Sequence, residues 1–274
     1  MGFWGFLKVR RKVKFNKLYE LACQESDFDR ARSLYDEAIS IGQDNKNVFF
    51  KRAVLFLKEG KEPDAIKDLK QSIQIGGDFM EAHLLLGNIF YERHDYQSAF
   101  DHYDQAVKCA EDSSIAFMSR GKAWMKLNMV KDAFEDFKKA ISLNPMNTSA
   151  FIERANLLML IEKKKAAIKD LEQAIRLEPG NPRTYVLRAE LYISESDFKK
   201  AEKDLDKALQ LVPDHAGAYA VLAELNFYQD KEEDFYQTFE KAGKLGFSLC
   251  EFSQDIFTKY ASVPRFQGLV AELT

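Results

Sequence analysis

The chain has 274 residues, 46% hydrophobic and 30% charged, with a formal net charge of −3. This is enough apolar material for a large core, and the slight acidity argues against nucleic acid as the main partner, because phosphate binding needs a basic face. Three cysteines (Cys23, Cys109 and Cys250), odd in number and far apart, argue against a disulfide framework or a zinc ribbon and fit a reducing cytosol.

In chain order, residues 1–11 place Phe3, Trp4, Phe6 and Leu7 ahead of Lys8, Arg10 and Arg11, and the cations continue through Lys12, Lys14 and Lys17 before the first acid, Glu20. The apolar part is too short for a signal-peptide core. Aromatics followed by cations suit docking to an anionic membrane surface or to a protein partner; a third reading folds the aromatics back over the first hairpin. No stretch approaches the roughly 20 apolar residues that span a bilayer.

From Lys12 onward one position recurs every 34 residues without insertion or deletion, as Ala38, Ser72, Ala106, Ala140, Ala174, Ala208 and Ala242. A strict period of this length predicts stacked helix pairs. Seven copies follow, at 12–45, 46–79, 80–113, 114–147, 148–181, 182–215 and 216–249, in which the recurring residue is position 27. Position 20 is Ala31, Ala65, Ala99, Ala133, Ala167 and Ala201, then Phe235. Position eight is Tyr19, then Ala53, Gly87, Gly121, Ala155, Ala189 and Ala223, and position four is Phe15, Phe49, His83, Phe117, Phe151, Tyr185 and Tyr219. Small residues at these spacings let two antiparallel helices approach while larger ones fill between them. Polar turns such as Lys58-Glu59-Gly60 and Arg93-His94-Asp95 separate the two helices of a copy, and Pro145, Pro179 and Pro213 stop the second helix. Residues 250–274, with Phe252, Ile256, Phe257, Tyr260, Phe266, Leu269 and Leu273, predict two short capping helices divided near Val263-Pro264.

Two positions vary together. Position seven is Arg52, Arg120, Arg154 and Arg188 in the same four copies that carry Asp68, Asp136, Asp170 and Asp204 at position 23; the other copies have Leu18, Leu86 or Leu222 with Leu34, His102 or Thr238. Contact across each hairpin is the simplest account. It predicts structural Arg–Asp pairs that fix the register of the hairpin, with a small net stabilisation because desolvation offsets the Coulomb gain.

The small position eight, the aromatic position four, the alanines at 20 and 27 and the proline at 32 resemble the tetratricopeptide repeat over about residues 12–249, best in Thr148 to Gly180. The resemblance implies an all-α, right-handed superhelical solenoid of antiparallel helix pairs, whose first helices line a concave face with positions two, five, nine, twelve and thirteen. Transferred by position, it makes Phe50, Lys58, Asn88, Tyr91, Met118, Lys122, Met125, Lys126, Asn156, Met159, Glu190, Glu224 and Phe227 the candidate partner-binding residues. Such an apolar trough suits an amphipathic helix or an extended peptide. Asn88 and Asn156 would hold a peptide backbone; Lys58, Lys122 and Lys126 favour an acidic residue, and Glu190 and Glu224 a basic one. The chaperone-tail pattern of lysines and asparagines is not reproduced in any register. The run Pro264-Arg265-Phe266-Gln267-Gly268-Leu269 resembles endings of bacterial members of the family.

No chemistry stands out. None of His83, His94, His102 and His215 has metal-ligand spacing to a Cys or carboxylate, and there is no Walker loop, GxGxxG or nucleophile elbow. The expectation is a cytoplasmic scaffold or adaptor without catalytic residues, metal or cofactor, which binds a protein or peptide and no nucleic acid. The alternative is a structural subunit of a larger or self-associating assembly, docked to the inner face of a membrane or to a partner through Phe3, Trp4, Phe6, Lys8, Arg10 and Arg11.

Overall fold

The computed structural model describes residues 3–42, 44–249 and 252–273, with side chains from Val9 onward. The described residues form sixteen α-helices and no strand. They are α1 (Phe3–Gln24), α2 (Phe28–Ile41), α3 (Lys46–Lys58), α4 (Glu62–Gly76), α5 (Met80–Glu92), α6 (Tyr96–Cys109), α7 (Ser114–Lys126), α8 (Val130–Leu143), α9 (Thr148–Leu160), α10 (Lys164–Leu177), α11 (Pro182–Ser194), α12 (Phe198–Leu211), α13 (Ala216–Tyr228), α14 (Glu232–Lys244), α15 (Gln254–Tyr260) and α16 (Pro264–Leu273). The chain divides into two compact units, residues 1–144 and 145–274.

Each odd-numbered helix from α1 to α13 packs on the even-numbered helix that follows it. The reversal between them has one geometry in six of the hairpins. A single residue takes a left-handed conformation, with φ of 72° at Gly60, 61° at His94, 62° at Asn128, 58° at Glu162, 59° at Ser196 and 56° at Asp230. The next amide then donates back to a carbonyl five residues earlier, as Lys61 to Phe56, Asp95 to Phe90 and Met129 to Trp124. This satisfies a carbonyl that the helix end would otherwise leave unpaired. Only one of the six is glycine, so the others hold a conformation that costs a side chain about 1 kcal/mol or more. N-terminal caps close many of the helices: the side chains of Asp27, Asp95, Ser113, Asn147 and Asp197 each accept a first-turn amide.

Inside the hairpins the small positions are sealed. Ala38, Ser72, Ala106, Ala140, Ala174, Ala208 and Ala242 are all 0% exposed. In the N-terminal unit α2 packs on α3, α4 on α5 and α6 on α7, and in the C-terminal unit α10 packs on α11 and α12 on α13. The last hairpin is closed differently. Phe235, where six other copies carry alanine, is fully buried and stacks on Tyr260 of α15 with ring centroids 4.9 Å apart. Phe239, Phe252, Ile256 and Phe266 complete this cluster, so α15 and α16 take the place of a further hairpin.

At the other end the sequence divides at residue 11, but the helix does not. α1 runs unbroken from Phe3 to Gln24, 22 residues against 13 in each other first helix. Nothing in residues 9–14 breaks a helix, and straight-chain Lys and Arg favour one. From Val9 onward, the first buried residue is Phe15.

The third copy lacks the Arg–Asp pair and carries two imidazoles instead. Nδ1 of His83 lies 3.3 Å from Nδ1 of His102, and Phe90 stacks on His102 with centroids 5.5 Å apart. Burial holds both imidazoles below their usual pKa; the neighbouring imidazole adds to this at His102, while Asp78 opposes it at His83, and at His102 Asp101 opposes it and Lys70 reinforces it. A base whose folded pKa is depressed binds more protons when unfolded, so its contribution is present above the unfolded value and is lost as pH falls from there through the folded one. The protein is therefore expected to lose urea stability between about pH 7 and about pH 5 through this pair. His83→Phe, which supplies the ring found in four other copies, should show a smaller acid loss; an equal loss in both proteins would contradict the assignment.

Candidate functional site

The arginines of position seven belong to the frame. Arg52 donates from Nε and Nη2 to the two carboxylate oxygens of Asp68 at 2.7 and 2.8 Å, and Arg120 does the same to Asp136 at 2.8 Å for both bonds. In the C-terminal unit Arg154 grips Asp170, and Arg188 grips Asp204, each with two bonds of 2.7 Å. Each guanidinium also lies over the position-four ring of its own copy: Phe49, Phe117, Phe151 or Tyr185. Burial pushes the Asp136 carboxyl up even with Arg120 beside it, while its hydrogen bonds hold Arg120 firmly charged. These pairs fix geometry more than they add stability. A third contact was not foreseen: Arg52 and Arg120 also bind Asp36 and Asp104, acids of the preceding copy, and Glu172 stands near Arg188 in the same relation. Position 25 of the copy before an arginine carried this signal in the sequence.

On the first helices of the N-terminal unit, a stripe of α7 stands open beside α5. Met118, Lys122 and Met125 are partly exposed and Lys126 is exposed, with Ile115, 57% exposed, continuing the stripe toward the start of the helix. Spacings of three and four residues put these on one helix face. Lys122 Nζ lies 4.9 Å from the Tyr91 ring and Lys126 Nζ 5.9 Å from the Tyr96 ring, while the two tyrosine rings meet edge to face at 5.3 Å. Such cation–ring contacts hold an ammonium in place without neutralising it. Asn88 is exposed on α5 and accepts a 2.7 Å bond from the Tyr103 hydroxyl, which burial keeps protonated by raising its pKa. Phe50 is half-buried, its ring 5.2 Å from Phe79, and Lys58 is exposed at the end of α3. Ile115 is the residue of this stripe missing from the sequence-derived set.

In the C-terminal unit the expected face is narrower. Asn156 and Met159 are partly exposed on α9, and the Asn156 amide nitrogen is 3.4 Å from a Glu153 oxygen. Phe227, expected on the open face, is instead core: only 9% exposed, it packs on Tyr260 and Phe235 under Lys259. Glu224 accepts the Ser253 amide at 3.1 Å, so the chain leading into α15 covers it. The capping segment closes over the seventh copy, which the pattern of that copy alone does not reveal. Glu190 is held largely out of water; burial first, and then the Glu224 charge, push its carboxyl up to about 7, against the pull of Arg183.

At the N-terminus Arg10 and Arg11 are exposed, whereas the side chains of Phe3, Trp4, Phe6 and Lys8 lie outside the described residues, as does Cys250. His94 contacts the Tyr96 hydroxyl and His215 caps α13. Among the described residues no three His, Cys, Asp or Glu side chains converge as metal ligands would, and no helix is long and apolar enough to cross a membrane.

Fold and site together define an all-α repeat solenoid of helix hairpins with a constant frame and a variable inner face. Sequence profiles of the tetratricopeptide repeat match residues 50–114, 84–148 and 162–225, more than half of the chain. The chain belongs to the tetratricopeptide repeat family. No curated protein matches it. Among solved structures, a tetratricopeptide repeat protein from Parabacteroides merdae is similar with a TM-score of 0.68 and 17% identity, over 91% of this chain and 96% of that one. Pseudomonas aeruginosa pilF is similar with a TM-score of 0.64 and 16% identity, over 83% and 97%. YrrB, described as having an unusual peptide-binding site, is similar with a TM-score of 0.54 and 21% identity, over 67% and 95%. At these identities the likeness establishes the fold alone.

The raised carboxyl of Glu190 gives this face a measurable signature. An acid with an elevated folded pKa contributes fully below its unfolded value of about 4.3 and loses that contribution as pH rises through the folded value. Glu190→Gln should therefore melt about 2–4 °C higher than the parent near pH 8 and almost with it near pH 5. An equal difference at both pH values, followed by circular dichroism, would contradict this.

Proposed function

We propose that the chain is a non-catalytic interaction scaffold that holds a partner segment along the inner face of its N-terminal unit, chiefly on α5 and α7. The observation that supports this most is the α7 stripe: two lysines seated over Tyr91 and Tyr96, beside Met118, Met125 and the exposed Ile115. Flexible thioethers and flat rings adapt to an irregular apolar surface, and the two ammonium groups select an acidic residue within the bound segment. Asn88 adds an amide that can pair with an extended backbone. The free thiols of Cys23 and Cys109 support placing the scaffold in a reducing compartment such as the cytoplasm.

The alternative of a self-stacking assembly has less support, because α15 and α16 occupy the flank of the last hairpin that a second copy would need. Lys122→Glu with Lys126→Glu is expected to reduce partner capture from a cell extract at least about tenfold, since reversing two charges opposite an acid costs more than one factor of ten. Capture is read by quantitative mass spectrometry, with helicity checked by circular dichroism. A folded double variant that captures the same partners at the same level would refute the site.

A further inference from the structure

From Val9 onward the surface of α1 is unlike that of the other first helices. From Val9 to Lys14 every residue is exposed, including Val9 at 55% and Val13 at 62%, and Lys17 and Leu21 are exposed further along. In later copies position three is apolar or small and buried, as Val48, Ala82 and Ala116, and position ten is buried, as Leu55 and Ile89. In the first copy these places hold Lys14 and the 45%-exposed Leu21. The flank that elsewhere receives a preceding hairpin is thus open and cationic, with Arg10, Arg11, Lys12, Lys14 and Lys17 along about 12 Å of helix. Two acids stand beside these cations: Glu37 bridges Lys14 at 2.8 Å on the surface, and Asp44 lines the recess next to Arg11 and Lys12.

A second copy stacked head to tail would bring α15 and α16 to this flank in place of an open hairpin, and one stacked head to head would bring the same cations against it. Charge selects an anionic occupant, and the valines among the cations, with Phe3, Trp4, Phe6 and Leu7 in the turns that precede them, select one with an apolar interior. In the sequence the apolar residues come first and the cations follow them. We propose that α1 docks on an anionic lipid bilayer by its N-terminal end, with the apolar turns entering the interface and the cations from Arg10 to Lys17 lying among the headgroups. The rest of the molecule is then presented at the membrane surface, leaving α5 and α7 available.

The test is cosedimentation of the full chain with phosphatidylcholine vesicles, with and without phosphatidylglycerol, at about 0.1 M and about 0.5 M salt. Binding is expected only to the anionic vesicles and mainly at low salt. Arg10→Gln, Arg11→Gln and Lys12→Gln together, at exposed positions ahead of the buried Phe15, should weaken it about tenfold or more with unchanged helicity. In a Trp124→Phe protein, emission from Trp4 should move to the blue on vesicle addition, which a purely electrostatic contact would not cause. The proposal is overturned by absence of binding to anionic vesicles, by equal binding to neutral ones, by a triple variant that binds as the parent does, or by an unmoved Trp4 emission. Equally tight binding of the parent to duplex DNA or polyglutamate would overturn it as well.

Discussion

The two helices of each hairpin can approach only as far as position eight and the residue facing it on the second helix allow, and the rest of the frame is built around that distance. A Cβ on Gly121 would stand 2.8 Å from the Phe137 ring, and Gly87 is crowded by Tyr103 in the same way. Where position eight is alanine in the second, fifth and sixth copies (Ala53, Ala155 and Ala189), the equivalent of that ring is a leucine, Leu69, Leu171 or Leu205, and all six residues are 0% exposed. Across the second to sixth copies volume is conserved at the contact, as close packing demands, while its distribution between the helices changes. Glycine inside a helix is unfavourable by about 0.5–1 kcal/mol, which burial of an aromatic ring at about 1.5–3 kcal/mol offsets. The first and seventh hairpins depart from this: Tyr19 and Tyr35 meet edge-on at 6.4 Å, and the seventh copy carries Ala223 and Phe239, both fully buried, at the same two positions.

Once that spacing is set, the polar contacts follow. The fork of each position-seven guanidinium reaches one carboxylate across its hairpin, and in two copies of the N-terminal unit it also reaches an acid of the copy before, so the same side chain fixes register within a hairpin and between neighbours. The third copy replaces this charged clasp with the His83–His102 pair, leaving a joint whose strength depends on pH just where α5 contributes Asn88 and Tyr91 to the open face. The frame therefore does not vary independently of the site. The hairpin that carries part of the proposed surface is held by an imidazole pair.

Much of this frame was legible from spacing, because a period without insertions keeps equivalent residues in equivalent surroundings. The joint variation of positions seven and 23 is visible in the sequence, and in the structure those residues are in contact. Features that depend on something outside the repeat were not legible. Phe227 and Glu224 read as groove residues, yet the segment after the last copy folds over them. The left-handed turn residues were also hidden: His94, Asn128, Glu162, Ser196 and Asp230 adopt a conformation that glycine usually announces, held by the hydrogen bonds of the turn. The exchange of volume between position eight and its facing residue was present in the sequence but needed the facing residue to be known. The length of α1 was obscured because its composition changes at residue 11 while its helical propensity does not.

The dependence of the hairpins on shared volume is tested most directly by a double-mutant cycle on Gly121→Ala and Phe137→Leu, read by urea unfolding. The account predicts that Gly121→Ala alone destabilises by about 1–2 kcal/mol despite its better helix propensity. It predicts that the double variant, which reproduces the Ala–Leu arrangement of the second, fifth and sixth copies, is more stable than additivity allows by about 1 kcal/mol or more. Additive effects within about 0.3 kcal/mol would contradict it.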